Sequence, residues 1–218
     1  MGKSTMNKTI VFTIHLLISF LLFGQQAVIA QQDTTKPQYI ELKPAQPTQT
    51  GNNIEVVEVF WYGCPHCYSF EPFIEAWLET MPEDVQFIRL PGVLAQNWMT
   101  HAKAYYTAEK LGVLDKTHRS LFDTIHKEKK PVFTDDQIRD FFVSKGISAE
   151  QFSQTYTSKE VEAKIRQAYF LARDYKLTGV PALVINGKYV TSPSHAGSSE
   201  ETIKVINALI EKERQLVK

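Results

Sequence analysis

The segment FWYGCPHC, residues 60–67, holds both cysteines of the 218-residue chain, Cys64 and Cys67. Two thiols at this spacing could close a structural bridge, supply half of a metal site, or work as a redox pair. As a staple the bridge is poor, because on the chain-entropy account so short a loop hardly constrains the unfolded chain. A zinc site takes about four ligands. There is no second cysteine pair, and His101, His118, His126 and His195 show no ligand-like spacing with one another. His66 lies between the cysteines and need not point with them. No metal is expected, and the flanking sequence favours redox chemistry.

Before the motif, IEVVEVF (54–60) is β-branched and apolar and predicts a largely buried strand. After it, Phe70, Phe73, Ile74 and Trp77 recur at steps of three and four, predicting a helix over 64–81 with a kink at Pro72. Cys64 therefore falls where a strand ends and a helix begins. Unpaired N–H groups and the helix dipole favour negative charge there. A thiolate at that place has a lowered pKa and leaves readily in exchange. Cys67, one turn further on, is expected to be more covered, so one thiol meets substrate and the other resolves the mixed disulfide. Pro65 suits a first helical turn, where its missing N–H costs nothing. His66 can add a positive charge or a donor beside the thiolate. Glu58, six residues before Cys64, is anomalous in an apolar strand unless paired or functional. The alternative is an outward-facing residue, but Glu55 and Glu58 fall on opposite faces, so at least one must enter a packed layer.

The elements around this segment carry their own signals. Lys3 and Lys8, an apolar run over 9–24 and the pair Val28 and Ala30 make residues 1–30 a signal peptide cleaved after Ala30. A retained anchor is the rival, but the run is short for a span and His15 interrupts it. Loss of Lys3 and Lys8 leaves 22 basic against 24 acidic residues, a net charge of −2. That near-neutral balance offers no electrostatic footprint for nucleic acid. An exported compartment is one where disulfides persist, and a CxxC in an exported chain at a strand–helix junction is a strong redox signal.

Along the rest of the chain, YIEL (39–42) predicts a short strand and 85–90 another, ended by Pro91-Gly92. Helices are predicted at 96–112, 115–130, 135–146 with Thr134 as cap, 148–156, and 158–179 with Thr157 and Glu160 as a capping box. Tyr105, Tyr106, Phe141, Phe142, Tyr169 and Phe170 are assigned to the core first; the alternative is a peptide-binding groove between subdomains, which these residues alone do not establish. No alternating strand pattern interrupts this block. Pro181 opens an apolar strand, and Asn186-Gly187 predicts a hairpin. A last helix follows Ser198 and Glu201, packing through Ile203, Ile206 and Ile210.

WYGCPHCYSFEP, with Tyr68, Phe70 and Glu71 after the cysteines, resembles the thioredoxin-fold thiol:disulfide oxidoreductases and, among them, the DsbA-like bacterial periplasmic proteins. LTGVPALVINGKYV (177–190) resembles the segment that sets a cis-proline, here Pro181 preceded by Val180, against the active-site disulfide. The resemblance implies that Glu58 is a buried carboxyl assisting proton transfer to and from Cys67. It places Arg89 where a lysine often stands near that glutamate. It implies an α/β thioredoxin fold with an inserted all-helical subdomain: 31–92 and 173–218 as the two parts of the redox domain, 93–172 as the insertion. It implies a stabilised reduced form whose disulfide is readily passed on to cysteine-containing exported polypeptides in the periplasm. A DsbB-like, quinone-linked inner-membrane partner would reoxidise it, with no bound cofactor. A monomer is expected, since no N-terminal dimerisation domain is seen. The alternatives are an isomerase or reductase of the same fold, or a non-enzymatic chaperone.

Overall fold

The computed structural model describes residues 37–216. The signal peptide expected at residues 1–30 lies outside them. The strands are β1 (Ile40–Glu41), β2 (Ile54–Phe60), β3 (Val85–Pro91), β4 (Ala182–Ile185) and β5 (Tyr189–Thr191). They form one sheet in the order β1-β5-β4-β2-β3. Strand β2 is central, pairing parallel with β3 and antiparallel with β4. All its residues are buried, as a strand covered on both faces requires. Helix α1 (Pro65–Leu78) connects β2 to β3.

Alternation along β2 divides the core in two. Ile54 and Val56 pack with Phe70, Ile74 and Trp77 of α1 and with Val205, Ile206, Leu209 and Ile210 of the last helix, α8 (Ser199–Leu216). Val57 and Val59 face the other cluster, which takes in the helices between β3 and β4. Those helices are α2 (Met99–Leu111), α3 (Leu114–His126), α4 (Asp135–Ser144), α5 (Ala149–Tyr156) and α6 (Lys159–Asp174). A short helix α7 (Pro193–Ala196) follows β5. Among the described residues, no helix is long and apolar enough to cross a membrane.

Local signals explain most boundaries. Thr134 and Gln137 form a full capping box at the start of α4. Gly112 closes α2 with φ +67°, a left-handed conformation that glycine adopts without steric cost. Asn186 and Gly187 both have positive φ in the β4–β5 hairpin, and a Cβ on Gly187 would strike the Gln46 carbonyl. Pro72 lies within α1, which runs on to Leu78.

Two expectations are corrected. Helix α6 is capped by the Ser158 hydroxyl, which accepts the Val161 N–H at 3.4 Å. The Thr157 hydroxyl instead bonds back to the Ser153 carbonyl at 2.8 Å and belongs to the end of α5. Tyr169 and Phe170 are 50% and 47% exposed rather than in the core. The buried stripe of α6 runs through Val161, Ile165, Ala168 and Ala172, and the two aromatics fall beside it.

Candidate active site

Cys64 is the N-cap of α1, as the strand–helix junction requires. Its Sγ accepts the Cys67 N–H at 3.4 Å and, as a thiol, donates to the Val180 carbonyl at 3.5 Å. Both cysteines are free. They differ in access, with 7% of Cys64 exposed and none of Cys67. A hydrogen bond from the Cys67 thiol lowers the Cys64 pKa most; burial opposes it, and the Cys67 and His66 N–H groups and the His66 charge add to the lowering. The net result is about 6, so the Cys64 thiolate predominates at neutral pH. Burial above all, then the bond it gives to Cys64, pushes the Cys67 thiol well up.

Pro65 and His66 are exposed in the first turn of α1. The Val180–Pro181 peptide bond is cis, and Pro181 is buried just before β4. The Val180 contact brings this loop, 116 residues away in sequence, against Cys64. Trp61, three residues before Cys64, stacks on Trp98 with centroids 4.5 Å apart and planes at 4°. Gly63 is required beside it, because a Cβ there would overlap the Trp61 ring.

Beneath the cysteines lies a buried charge cluster. Glu58 is wholly buried, and Arg89 Nε stands 3.2 Å from its Oε2. The pair arises from register, since the two residues are direct partners across the parallel β2–β3 ladder. Arg89 also reaches Glu71 of α1, Nη2 to Oε1 at 2.5 Å. His118 of α3 sets Nε2 3.2 Å from the same oxygen, and its Nδ1 lies 2.8 Å from the Tyr62 hydroxyl. Burial, then the negative charge of Glu71, pushes the Glu58 carboxyl up to about 8 against the opposing pull of Arg89. Burial also pushes Glu71 up, but the hydrogen bond from His118, the positive charge of His118 when it is protonated, and the charges of Arg89 and Arg119 outweigh it and leave that carboxyl below its ordinary value. The charge of Glu58 is felt at Cys67, where it contributes to the raised thiol pKa.

A family model for the DSBA-like thioredoxin domain matches residues 79–200. Over 197 residues the chain is 44% identical to the thiol:disulfide interchange protein DsbA of Pseudomonas aeruginosa, covering 90% of this chain and 93% of that protein. The chain belongs to the DsbA family. DsbA of Pseudomonas syringae pv. tomato is 40% identical over 202 residues, covering 93% of this chain and 94% of that protein. The crystal structure of Pseudomonas aeruginosa DsbA superposes with a TM-score of 0.79 at 44% identity, covering 83% of this chain and 94% of that one. That of Xylella fastidiosa DsbA gives 0.76 at 30% identity, covering 82% and 96%. The fold is thus the thioredoxin fold of DsbA with its added helices, and the protein is a thiol:disulfide oxidoreductase. Exchange chemistry gives a DsbA two kinds of partner: a thiol substrate and a reagent that restores its own disulfide.

The family model begins beyond the cysteines, at residue 79. The 197-residue match to DsbA does include them, because a stretch spanning 90% of a 218-residue chain cannot miss its middle. Within this DsbA-family site, the structure brings Cys64, Cys67, Pro65, His66, Val180 and Pro181 to one place and sets Glu58 with Arg89 behind them. Sequence reasoning missed the roles of Glu71, His118 and Tyr62 in that cluster. A signal was present. Glu71 sits in the buried stripe Cys67, Phe70, Ile74 and Trp77, and His118 sits in the stripe Thr117, Leu121, Phe122 and Ile125. A polar residue on an apolar stripe needs a partner.

Proposed function

We propose that this protein is a periplasmic dithiol oxidase that donates a Cys64–Cys67 disulfide to cysteine-containing exported polypeptides. A substrate thiolate attacks Cys64 Sγ, the intramolecular S–S bond breaks, and Cys67 leaves as a thiolate. The raised affinity of Cys67 for protons means that it then takes one up, and Glu58 is the neighbouring carboxyl able to supply it. The second substrate thiolate attacks the substrate sulfur of the mixed disulfide. Cys64 leaves as its stabilised thiolate, the substrate has lost two electrons, and the cysteine pair has gained them. A low leaving-group pKa speeds that release. The observation that carries the reading is the unequal placement of two thiols one helical turn apart: Cys64 caps α1, accepts the Cys67 N–H and is partly accessible, whereas Cys67 is wholly buried, which lowers the first pKa and raises the second.

Pro65 and His66 tune the thiolate at the start of α1, and Arg89 holds the charge of the carboxyl cluster. Val180 and Pro181 bind substrate. In the disulfide and in the mixed disulfide Cys64 has no S–H to donate, so the Val180 carbonyl is free to accept from a substrate backbone N–H. A DsbB-like, quinone-linked inner-membrane protein reoxidises the pair. The mature protein, residues 31–218 after export by the signal peptide 1–30, acts as a monomer without a bound cofactor. It divides into a redox domain, 31–92 with 173–218, and a helical insertion, 93–172.

The test is equilibration of the mature protein with glutathione buffers of graded ratio, followed by quantification of the Cys64–Cys67 disulfide. The expected result is a pair more oxidising than glutathione. A strongly reducing pair would replace the oxidase by a reductase.

A further inference from the structure

The cluster beneath the cysteines contains one guanidinium, Arg89, and two carboxyls, Glu58 and Glu71. With both carboxyls ionised it would hold an uncompensated negative charge out of water, which is costly. One carboxyl therefore keeps a proton, and the geometry decides which. Glu71 Oε1 receives Arg89 Nη2 at 2.5 Å and His118 Nε2 at 3.2 Å. Glu58 has only the 3.2 Å ion contact with Arg89 Nε, and neither of its oxygens has a partner in hydrogen-bond geometry.

The direction of each bond follows from its partners. The Tyr62 pKa is raised, by burial first, so Tyr62 stays a phenol. An ionised Glu71 can only accept, so His118 Nε2 carries a hydrogen and donates it. Nδ1 then accepts the Tyr62 O–H at 2.8 Å, which fixes the tautomer. Burial lowers the His118 pKa although Glu71 opposes it, so at neutral pH the ring works as a neutral donor. The groups facing His118 are Tyr62 before α1, Glu71 and Glu75 on α1, Arg89 on β3 and Tyr105 on α2, with Asp115 and Arg119 on α3 itself. A cavity of about 390 Å³ reaches His118, Glu71 and Arg89 from outside; neither Glu58 nor a cysteine lines it.

We propose that His118 is a positioning residue for exchange at Cys67: by donating Nε2–H to Glu71 it holds Glu71 as the ionised partner of Arg89 and leaves the cluster's one exchangeable proton on Glu58. The proton is then stored on the carboxyl whose charge is felt at Cys67 rather than on the one facing the cavity. This deepens the proposed oxidase mechanism and rests on it for the use of the proton.

The test is a pH titration of the mature protein carrying ¹³C-labelled glutamate carboxyls, followed by NMR. Glu58→Gln and Glu71→Gln assign the two resonances. Three variants are compared with the parent: His118→Phe and His118→Leu, which fill space without donating, and His118→Gln, whose amide can donate to Glu71 and accept from Tyr62. In the parent and in His118→Gln, Glu58 titrates above Glu71. In His118→Phe or His118→Leu, whichever folds, the Glu71 titration rises by roughly one pH unit, a tenfold change in proton affinity, and that of Glu58 falls. The pH profile of dithiol-peptide oxidation shifts with it. Unmoved carboxyl titrations in the apolar variants, or a His118→Gln variant that titrates like them, would overturn the proposal. Carboxyl titration does not depend on the direction of electron flow, so a failed glutathione equilibrium and a failed proton assignment are separate outcomes.

Discussion

Glu58 and Arg89 are direct neighbours across the parallel β2–β3 ladder, and Arg89 Nε lies 3.2 Å from Glu58 Oε2 inside the protein. The same guanidinium serves Glu71, the carboxyl that stays ionised, so removing it leaves that buried carboxylate without its guanidinium partner. Arg89→Met is expected to lose about 3–5 kcal/mol of stability at pH 7, the range for breaking a buried ion pair from one side. The loss shrinks in acid, where Glu71 protonates and needs no counter-charge. Urea unfolding at neutral and acidic pH measures both.

Glu58 also sets a pH dependence of stability, read as the difference between the parent and Glu58→Gln so that the titration of Cys64 cancels. Its folded pKa, about 8, lies above the ordinary 4.5, so the folded state binds the extra proton between those values. Stability contributed by this group is present below about pH 4.5 and is lost as pH rises through about 8. Glu58→Gln abolishes that loss. A steeper alkaline fall in the variant than in the parent would contradict this.

In the reduced protein the sign for Cys64 is opposite. Its folded pKa, about 6, lies below the unperturbed 9, so the unfolded chain binds more protons between them. The stabilisation is complete above about pH 9 and disappears as pH falls through about 6. The gap in unfolding free energy between reduced and oxidised protein therefore moves in favour of the reduced form from pH 6 to 9. Paired unfolding curves at stepped pH test it, and the far-ultraviolet absorbance of the thiolate reports the midpoint directly.

Gly63→Ala forces the Trp61 ring away, because the new Cβ would overlap it. The ring is held by its stack on Trp98, so the pair separates or the turn before Cys64 shifts. The expected result is altered near-ultraviolet circular dichroism together with a cost of about 1–3 kcal/mol, as for overpacking. An unchanged spectrum would mean that the stack is not maintained in solution.

At the start of α6, Ser158→Ala should cost about 1 kcal/mol, the usual value of a lost N-cap, and Thr157→Ala clearly less. Thermal unfolding of the two variants separates them. A larger loss in Thr157→Ala than in Ser158→Ala would return the cap to Thr157.

How much of this was legible beforehand depended on whether the controlling interaction was local. Cys64 at a helix start, Pro65 in the first turn, the hairpin at Asn186-Gly187 and the Thr134 cap all rest on a few consecutive residues, so sequence displays them. Thr157 and Ser158 are both good caps, so sequence alone does not choose between them, and the hydrogen bonds of their hydroxyls in the fold select Ser158. As aromatics, Tyr169 and Phe170 read as core residues, but the angular position of each on α6 leaves them outside. The charge cluster was only half visible. Glu58 announced itself as an acid in an apolar strand, and Arg89 came through resemblance. Glu71 and His118 each occupied a buried helical stripe, but nothing in one dimension says which polar residues on separate helices will meet.

By itself, then, the sequence determined the chemistry available to this protein: two thiols at a helix start, an acid in the strand before them, and a proline opening a later strand. The tertiary structure decided how that chemistry is tuned. Sheet register put Arg89 beside Glu58, and packing of α3 on α1 put His118 on Glu71. The chain's return brought the Val180 carbonyl to Cys64. Charges and hydrogen bonds act through distance in space, and folding alone makes those distances short.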